Sequence, residues 1–378
     1  MIFSGLIKLN DPMGTQIKME EYFEVFAADI APFFEVFVPF ALPIAIIMCL
    51  FEVVLGVALL IQWRMQFTKW ALLGLMVFFT FLTFYSAFFN KVTDCGCFGD
   101  AIKLTPWGSF TKDIVLLVFI ALIFAGYKHM KPLFKPANGN MVVVGVTALS
   151  AVAAFWALAH LPFIDFRPYK VGNNIKALMT LPPNAKKDEF VITYQMVNTK
   201  TKAAKTVTDK EYMDQKIWED TTWQIQGEPV TKQTVVGDKP AITDFNVQSD
   251  ELGDITDSVF KGNKFIVIIL NASKVYPPYL KKIAETADAL SAISTVKVEP
   301  IILTASTTAE MDVLRHEAQL AAPIYQTDAT VLKTIMRSNP GTWLLQDGVV
   351  KGKWHYNDTP EAGEVLELLK STTPAPAK

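Results

Sequence analysis

Long apolar runs dominate the first 160 residues. They cover roughly 36–61, 70–89, 110–127 and 141–160, and the only charges inside them are Glu52 and, near the start of the third run, Lys112 and Asp113. Each run holds about 18 to 26 residues, enough to cross a ~30 Å hydrocarbon core as a helix. Four consecutive runs with short connectors are difficult to accommodate as buried helices of a soluble protein. The pattern therefore predicts a multi-pass α-helical membrane bundle.

The connectors predict the orientation of this bundle. The connector 64–69 and the connector 128–140 carry lysine and arginine without any acid, whereas the loop 90–109 balances two lysines against two aspartates. Basic connectors stay on the cytoplasmic side of the membrane. The loop 90–109 and the chain after His160 are therefore predicted to lie outside. The protein would then be a multi-pass inner-membrane protein with its C-terminal domain in the periplasm.

The chain before the first long run contains two shorter features. Residues 1–9 are apolar but too short to span, and they lack the basic region and cleavage site of a signal peptide. We interpret them as the remnant of a helix. Residues 16–37 place apolar side chains at helical spacing against acids, which predicts an amphipathic helix lying on the outer membrane face, capping the bundle or covering a substrate. Pro39 and Pro43 are expected to kink or thin the first full helix.

The chain after residue 161 changes from apolar runs to alternating patterns. Residues 162–240 predict a small β-rich region, because Phe190, Ile192, Tyr194 and Met196 alternate with less apolar neighbours. Trp223 and Ile225 predict a further strand. No function follows from this region.

Residues 241–374 predict a separate α/β domain. The pattern predicts strands at 264–270 and 296–304, helices at 278–293, 307–320 and 329–336, and a hairpin of 342–346 and 349–355 around Asp347-Gly348. A last helix would begin at Thr359-Pro360. This order resembles the thioredoxin fold, and the resemblance implies that Pro340 is a cis-proline facing the active site. Redox-active thioredoxins carry Cys-x-x-Cys after the first long strand, whereas residues 271–278 contain no cysteine. We therefore interpret the domain as a docking module, with partner binding near Pro340.

The most informative motif is Asp94-Cys95-Gly96-Cys97-Phe98-Gly99-Asp100, which holds two of the three cysteines. Such a pair can cycle between dithiol and disulfide, and the intervening glycine permits the contorted backbone of a tight ring. Strain in that ring would raise the reduction potential. Cys95 and Cys97 are thus the predicted catalytic residues. The alternative is a loop whose thiols are oxidised adventitiously or paired with another chain. No histidine lies nearby and tetrahedral zinc needs four ligands, so no metal is predicted.

Two residues of the first long run carry further candidate chemistry. Cys49 would lie roughly 20 Å below the outer surface at helical rise, too deep to reach the loop cysteines unless the loop folds into the bundle. We expect an inert, packed thiol. Glu52 lies one turn further on. A carboxyl at that depth is costly and usually functional, so Glu52 is predicted to be neutral and to bind a quinone carbonyl or relay a proton. A structural hydrogen bond to a neighbouring helix is the alternative.

The membrane region resembles the DoxX/MauE-like family of helical-bundle membrane proteins. The resemblance rests on Phe3-Ser4-Gly5-Leu6-Ile7-Lys8 with Asp11-Pro12-Met13-Gly14, on Phe51-Glu52 followed by Leu55-Gly56, and on the cysteine motif. With its additional helix and outer thioredoxin-like domain, the chain is similar to the long DoxX-family proteins of the Bacteroidota. Those relatives begin with a full helix ahead of the segment that starts at Phe3.

The resemblance implies several activities. MauE-like proteins are associated with disulfide handling in the maturation of a periplasmic enzyme, and DoxX-like proteins with quinone-linked sulfur oxidation. The bundle is also similar to membrane enzymes of the vitamin K epoxide reductase kind, which pass electrons between thiols and a quinone. Those enzymes use a second cysteine pair that this chain lacks.

These features predict four regions: a bundle at 1–128, a basic loop with a further spanning helix at 129–161, the β-rich region at 162–240 and the thioredoxin-like domain at 241–374. The leading hypothesis is a thiol/disulfide redox component that couples Cys95 and Cys97 to an extracytoplasmic protein or redox partner, with a quinone as candidate cofactor. The alternative is a non-catalytic envelope scaffold or assembly factor. A net charge of −2 gives no indication of nucleic-acid binding.

Overall fold

The computed structural model describes residues 1–92, 96, 98–182, 184–186, 188–235 and 237–371. The predicted catalytic residues Cys95 and Cys97 lie outside this set. The chain forms two compact units. One consists of Met1–Asn174 together with Phe245–Lys378, and the other of Ile175–Asp244.

The N-terminal part of the first unit is helical. Its helices are α1 (Ile2–Asn10), α2 (Pro12–Asp29), α3 (Ala41–Leu60), α4 (Met65–Phe89), α5 (Pro106–Gly126) and α6 (Pro136–Ala159). Within the part of the chain that the structure describes, four helical segments are long and apolar enough to cross a membrane: Pro32–Leu60, Met65–Phe89, Pro106–His129 and Pro136–Ala159. They coincide with the four apolar runs of the sequence and extend beyond most of their ends. The protein is therefore a multi-pass membrane protein.

The segment before the first span differs from the predicted continuous helix 16–37. Helix α2 ends at Asp29, because the chain turns before Pro32 and continues as a 3₁₀-helix over Pro32–Phe40. Met19, Tyr22, Phe23 and Phe26 are buried, and they pack against α3, α4 and the 3₁₀-helix. Helix α2 thus packs on the bundle. The prediction that the same α-helix continues to residue 37 was wrong. The thinning expected at Pro39 is confirmed, since α-helical geometry begins only at Ala41.

Helix α1 packs closely on α3. A Cβ atom on Gly56 would lie 2.5 Å from Cγ1 of Ile2, and one on Gly5 would lie 2.6 Å from Cγ2 of Val53. Real Cβ atoms do not approach other atoms this closely, so both glycines are needed for the two backbones to pack. The segment that we interpreted as a helix remnant is therefore an integral part of the bundle.

The second unit is built on a small antiparallel sheet. It contains α7 (Ile175–Leu178), β1 (Glu189–Asn198), β2 (Ala204–Thr208), α8 (Asp209–Asp214), β3 (Trp223–Ile225) and β4 (Val230–Val235). Strand β1 pairs antiparallel with β2, β3 and β4. Met196, Val207 and Ile217 form its buried core. The predicted strands at Phe190–Met196 and Trp223–Ile225 are confirmed.

The rest of the first unit is an α/β domain built on a mixed sheet. In chain order its elements are β5 (Gln248–Ser249), β6 (Gly253–Asp254), α9 (Thr256–Val259), β7 (Asn263–Ile269), α10 (Lys281–Ala292), β8 (Val298–Thr304), α11 (Thr308–Ala318), β9 (Ile324–Gln326), α12 (Ala329–Ile335), β10 (Gly341–Gln346), β11 (Val349–His355) and α13 (Ala362–Lys370). The sheet order is β11-β10-β7-β8-β9-β5-β6. Strands β7, β8 and β9 are parallel, whereas β10 and β11 are antiparallel to their neighbours.

Local sequence signals predicted most of this domain. The turn at Asp347-Gly348 has φ of +47° and +78°, as a two-residue hairpin with a primed turn requires. The Asn339–Pro340 peptide bond is cis. The predicted helix start at Thr359 was wrong, because the Thr359 hydroxyl donates to the carbonyl of Tyr356 and closes a preceding turn. Helix α13 begins instead at Ala362, where Glu361 and Glu364 cap the helix reciprocally.

Candidate functional site

The described part of the cysteine loop folds against the bundle. Gly96, which separates Cys95 from Cys97 in the sequence, has φ of +62°, a conformation that favours glycine. Its carbonyl accepts a hydrogen bond from the amide of Gly99 at 3.1 Å. A Cβ atom on Gly96 would lie 3.2 Å from Cγ of Lys18, so the loop approaches helix α2 closely. Phe98 continues the contact, with its ring centroid 6.0 Å from that of Phe3 in α1.

A small cavity connects this loop with the interior of the bundle. It has a volume of about 40 Å³, and its lining includes Gly96, Cys49, Lys8, Thr15 and Tyr22. Cys49 is fully buried, and its Sγ lies 3.9 Å from Oγ1 of Thr15. The sequence analysis placed Cys49 out of reach unless the loop folds into the bundle, and at Gly96 the loop does border a cavity that Cys49 also lines. A third thiol therefore borders the same space as the glycine between the predicted redox cysteines.

Glu52 forms an ion pair with Lys8 of helix α1. The Nζ atom of Lys8 lies 2.6 Å from Oε2 of Glu52, and the two side chains are 7% and 5% exposed. The Lys8 ammonium group also lies 4.4 Å from the ring centroid of Phe79. In the sequence Glu52 stands as a lone carboxyl within an apolar run, which predicted a neutral group. The prediction did not take the counter-ion Lys8 into account, because Lys8 belongs to the short segment before the first long run.

The surroundings of Glu52 offer little space for a quinone. Its carboxylate is held by Lys8, and the adjoining cavity of about 40 Å³ is far below the ~300–1,000 Å³ of typical small-molecule sites. Quinone binding at Glu52 stays a prediction, and thiol–disulfide exchange between two cysteine pairs does not require it. Among the described residues, no group of three or more His, Cys, Asp or Glu side chains could hold a metal ion.

A single guanidinium group ties the α/β domain to the cysteine loop and to helix α2. Nε of Arg337 lies 2.9 Å from Oδ2 of Asp11, and its Nη2 lies 3.1 Å from Oδ2 of Asp100. Asp11 also caps α2 by accepting from the amide of Gly14. Asp100 closes the cysteine motif, and Arg337 precedes Pro340 by three residues. The ion pairs therefore bring the end of the cysteine loop and the segment before the cis-proline together.

A second buried cluster holds the chain after the last span against the same domain. Asp165 lies 2.7 Å from Nε of Arg167 and 2.7 Å from Nζ of Lys353. Burial acts to raise the pKa of Asp165, but Lys353 and Arg167 outweigh it and hold this pKa well below its usual range. Burial and the neighbouring Arg167 lower the pKa of Lys353 to about 7. Nδ1 of His160 lies 2.8 Å from Oδ1 of Asp358, within hydrogen-bond distance.

Side-chain hydrogen bonds hold the Pro340 segment to the end of β7. Oδ1 of Asn339 accepts from the amide of Leu270 at 2.9 Å, and its Nδ2 donates to the carbonyl of Asn271 at 2.9 Å. The hydroxyl of Ser338 donates to the carbonyl of Pro340. The cysteine-free stretch 271–278 is therefore joined at its first residue to Asn339, which immediately precedes the cis-proline and follows Arg337 by two residues.

Of the predicted site residues, the structure describes Glu52 and Pro340, and these two lie in different parts of the first unit. Arg337, three residues before Pro340, binds Asp100 at the end of the cysteine loop, whereas Glu52 pairs with Lys8, which lines the cavity. Sequence reasoning missed Lys8, Arg337, Arg167 and Lys353. The sequence offered only the presence of a charged residue close to apolar ones. This signal does not identify the residue with which the charge pairs.

The comparison with known families concerns the N-terminal third of the chain. Residues 1–126 match the family model of the methylamine utilisation protein MauE. This MauE-like segment contains α1 to α5 together with the cysteine loop, and it ends at Gly126, the last residue of α5. No curated protein and no solved structure matches the chain. The match supports the MauE-like part of the resemblance, whereas the resemblances to DoxX and to thioredoxin stay predictions.

Proposed function

We propose that the protein is a membrane component of thiol–disulfide exchange, with Cys95 and Cys97 as the reacting thiols. The observation that supports this proposal most directly is the position of Gly96, which borders the same cavity as Cys49. Asp100, at the end of the same motif, is held by Arg337 close to Pro340. The α/β domain would then present a partner protein to the cysteine loop.

The proposed exchange transfers a disulfide bond between the cysteine pair of the partner and the cysteine pair of the loop. The thiolate of one loop cysteine attacks a disulfide of the partner, forms a mixed disulfide and releases one partner thiolate. The second loop thiol loses its proton and displaces the other partner sulfur. The loop pair is then oxidised to a disulfide and the partner is reduced to a dithiol, with two electrons and two protons transferred. The reverse sequence oxidises the partner.

The α/β domain supports a docking role in this scheme. Its order of elements and its cis-Pro340 resemble the thioredoxin fold, yet the stretch 271–278 offers no thiol for exchange. We infer that the partner is an extracytoplasmic protein whose cysteines are paired during assembly. This inference also uses the match of residues 1–126 to a methylamine utilisation protein. The basic connectors support a periplasmic position for the cysteine loop and the α/β domain.

The decisive experiment is a redox titration of Cys95 and Cys97. Membranes that contain the full chain are equilibrated across thiol/disulfide buffers, alkylated and analysed by peptide mass spectrometry. We expect reversible titration well above about −300 mV, where labile disulfides lie. A pair that stays fully reduced or fully oxidised throughout would contradict the proposal.

A non-catalytic scaffold is the second candidate, and the ion pairs of Arg337 favour it because they fix the α/β domain to the bundle. Replacing both loop cysteines with serine distinguishes the two functions. Full complementation by this variant at normal abundance would support the scaffold, whereas loss of function at normal abundance would support exchange.

A further inference from the structure

A second cavity, of about 120 Å³, lies between the end of α3 and the start of α6. Trp63, Phe134 and two prolines form its walls, while Arg64 and Asn140 supply polar groups. One water position needs ~10–15 Å³, so the cavity has room for a group as large as a phosphate. Because successive spans alternate in direction, this cavity lies at the membrane face opposite the cysteine loop.

Contacts among three segments build this cavity. The indole Nε1 of Trp63 donates to Oδ1 of Asn140 at 2.7 Å. Gly139 is buried, and a Cβ atom there would lie 3.2 Å from Cδ1 of Trp63, so the indole packs directly on helix α6. The amide of Leu133 donates to the carbonyl of Ile61 at 3.1 Å, which closes the connector 128–140 over the end of α3.

The two connectors that border the cavity carry basic side chains and no acidic ones. Arg64 is exposed, and its guanidinium carbon lies 5.2 Å from the ring centroid of Trp63. Lys131 and Lys135 are exposed on the connector, and residues 61–69 and 128–140 contain no Asp or Glu. Helix α6 has no side-chain N-cap and no acid in its first turn, so its positive end adds to this field. An anion is therefore the complementary ligand.

We propose that this cavity binds the phosphate of an anionic phospholipid. It lies where two spanning helices leave the hydrocarbon core, at the depth of lipid headgroups. The apolar walls are suited to contact the first carbon atoms of the acyl chains, next to the glycerol. Basic pockets between spanning helices bind such headgroups. Arg64 would contact the phosphate, and Lys131 and Lys135 would add long-range attraction.

Lipid retention by the purified full chain tests this proposal. The protein in detergent is mixed with phosphatidylglycerol and phosphatidylcholine of identical acyl chains, and retained lipid is counted by native mass spectrometry. We expect preferential retention of phosphatidylglycerol and an about fivefold loss of it in Arg64→Gln, from the typical contribution of one basic residue near an anionic surface. Arg64→Lys should retain most of the binding. Lys200→Gln, an equal charge change at an exposed turn of the second unit, is the matched control.

Three outcomes would overturn the proposal: equal retention of both lipids, equal retention by Arg64→Gln and Lys200→Gln, or displacement of phosphatidylglycerol by millimolar inorganic phosphate. The last outcome would assign the cavity to free phosphate. If Arg64→Gln does not fold, the double change Lys131→Gln/Lys135→Gln replaces it, because both side chains are exposed. The Cys95→Ser/Cys97→Ser variant should bind lipid normally, which separates this test from that of thiol exchange.

Discussion

Lys8 and Glu52 place two opposite charges inside the membrane bundle, 2.6 Å apart. Lys8→Met or Glu52→Leu alone leaves one buried charge without its partner and should lower the free energy of unfolding by about 3–5 kcal/mol. The double variant removes both charges and should regain most of this loss. Denaturant unfolding in detergent measures all three. If the double variant is as unstable as the less stable of the two single variants, Lys8 and Glu52 do not act as a simple ion pair.

The same double variant separates structure from chemistry at Glu52. If the carboxylate only joins α1 to α3, a stable double variant should keep the thiol-exchange rate. A stable double variant that has lost exchange would instead indicate that Glu52 takes part in proton transfer.

Cys49 and Gly96 border one cavity, so the loop cysteines should come within reach of the buried thiol. We expect mild oxidation of Cys95→Ser or Cys97→Ser to join the remaining loop cysteine to Cys49. Non-reducing peptide mass spectrometry detects this bond. The same variants with Cys49→Ser provide the control. If neither single variant forms the bond under conditions that oxidise the wild-type pair, the loop does not reach Cys49.

At the level of elements, the end of β11 should respond to acid. His355 is 3% exposed, and burial lowers its pKa from 6.5 to about 4. Between these values the unfolded chain binds a proton that the folded chain does not, so this contribution is complete above pH 6.5 and is lost as the pH falls towards 4. From pH 7 to pH 5 the loss is on the order of 2 kcal/mol.

Unfolding of the full chain at both pH values, followed by fluorescence, measures this difference. His355→Gln should reduce it, whereas His316→Gln, at an exposed position of α11, should not. Equal pH dependence in the two variants would exclude His355 as its source.

The packing of α1 on α3 depends on a residue without a side chain. A Cβ atom at Gly56 would collide with Ile2, so Gly56→Ala should displace α1 and lower stability by about 1–3 kcal/mol. Gly74 is the matched control, because a Cβ atom at this position in α4 meets nothing within 4 Å. Gly74→Ala should be neutral or slightly stabilising. Thermal unfolding in detergent compares them, and equal effects would show that α1 does not require this close approach.

At the scale of the whole molecule, Arg337 connects the α/β domain to both helix α2 and the cysteine loop. Arg337→Gln should lower stability by about 3–5 kcal/mol, because it leaves partly buried carboxylates without a counter-ion. It should also raise the alkylation rate of reduced Cys95 and Cys97, since Asp100 is no longer held.

Arg315→Gln breaks an exposed pair with Asp312 and serves as the control, with an expected loss below about 1 kcal/mol. An alkylation rate that does not change in Arg337→Gln would mean that the guanidinium stabilises the docked domain without positioning the loop.

Features encoded over a few neighbouring residues could be predicted from the sequence. The apolar runs predicted the spans because length alone decides whether a helix crosses the membrane, and Asp347-Gly348 predicted its hairpin because both residues tolerate positive φ. Near the last helix, Thr359 and Glu361 are both possible N-cap residues, and the N-cap is Glu361.

The candidate site was less predictable because its contacts are distant in sequence. Lys8 and Glu52 are 44 residues apart, and Arg337 and Asp11 are 326 residues apart. No periodic pattern carries such pairings. The cavity behind Gly96 depends in addition on how the loop folds back onto the bundle.

The separation of Arg337 from Asp11 has a consequence for the biosynthesis of the protein. Arg337 follows Asp11 by 326 residues, and at a translation rate of about 5–20 residues per second it leaves the ribosome roughly 16 to 65 s later. The spanning helices are therefore inserted long before Asp11 and Asp100 can meet their guanidinium. A chain that terminates before residue 337 would leave both carboxylates without this counter-ion, so their neutralisation marks a molecule whose α/β domain has been synthesised at least as far as Arg337.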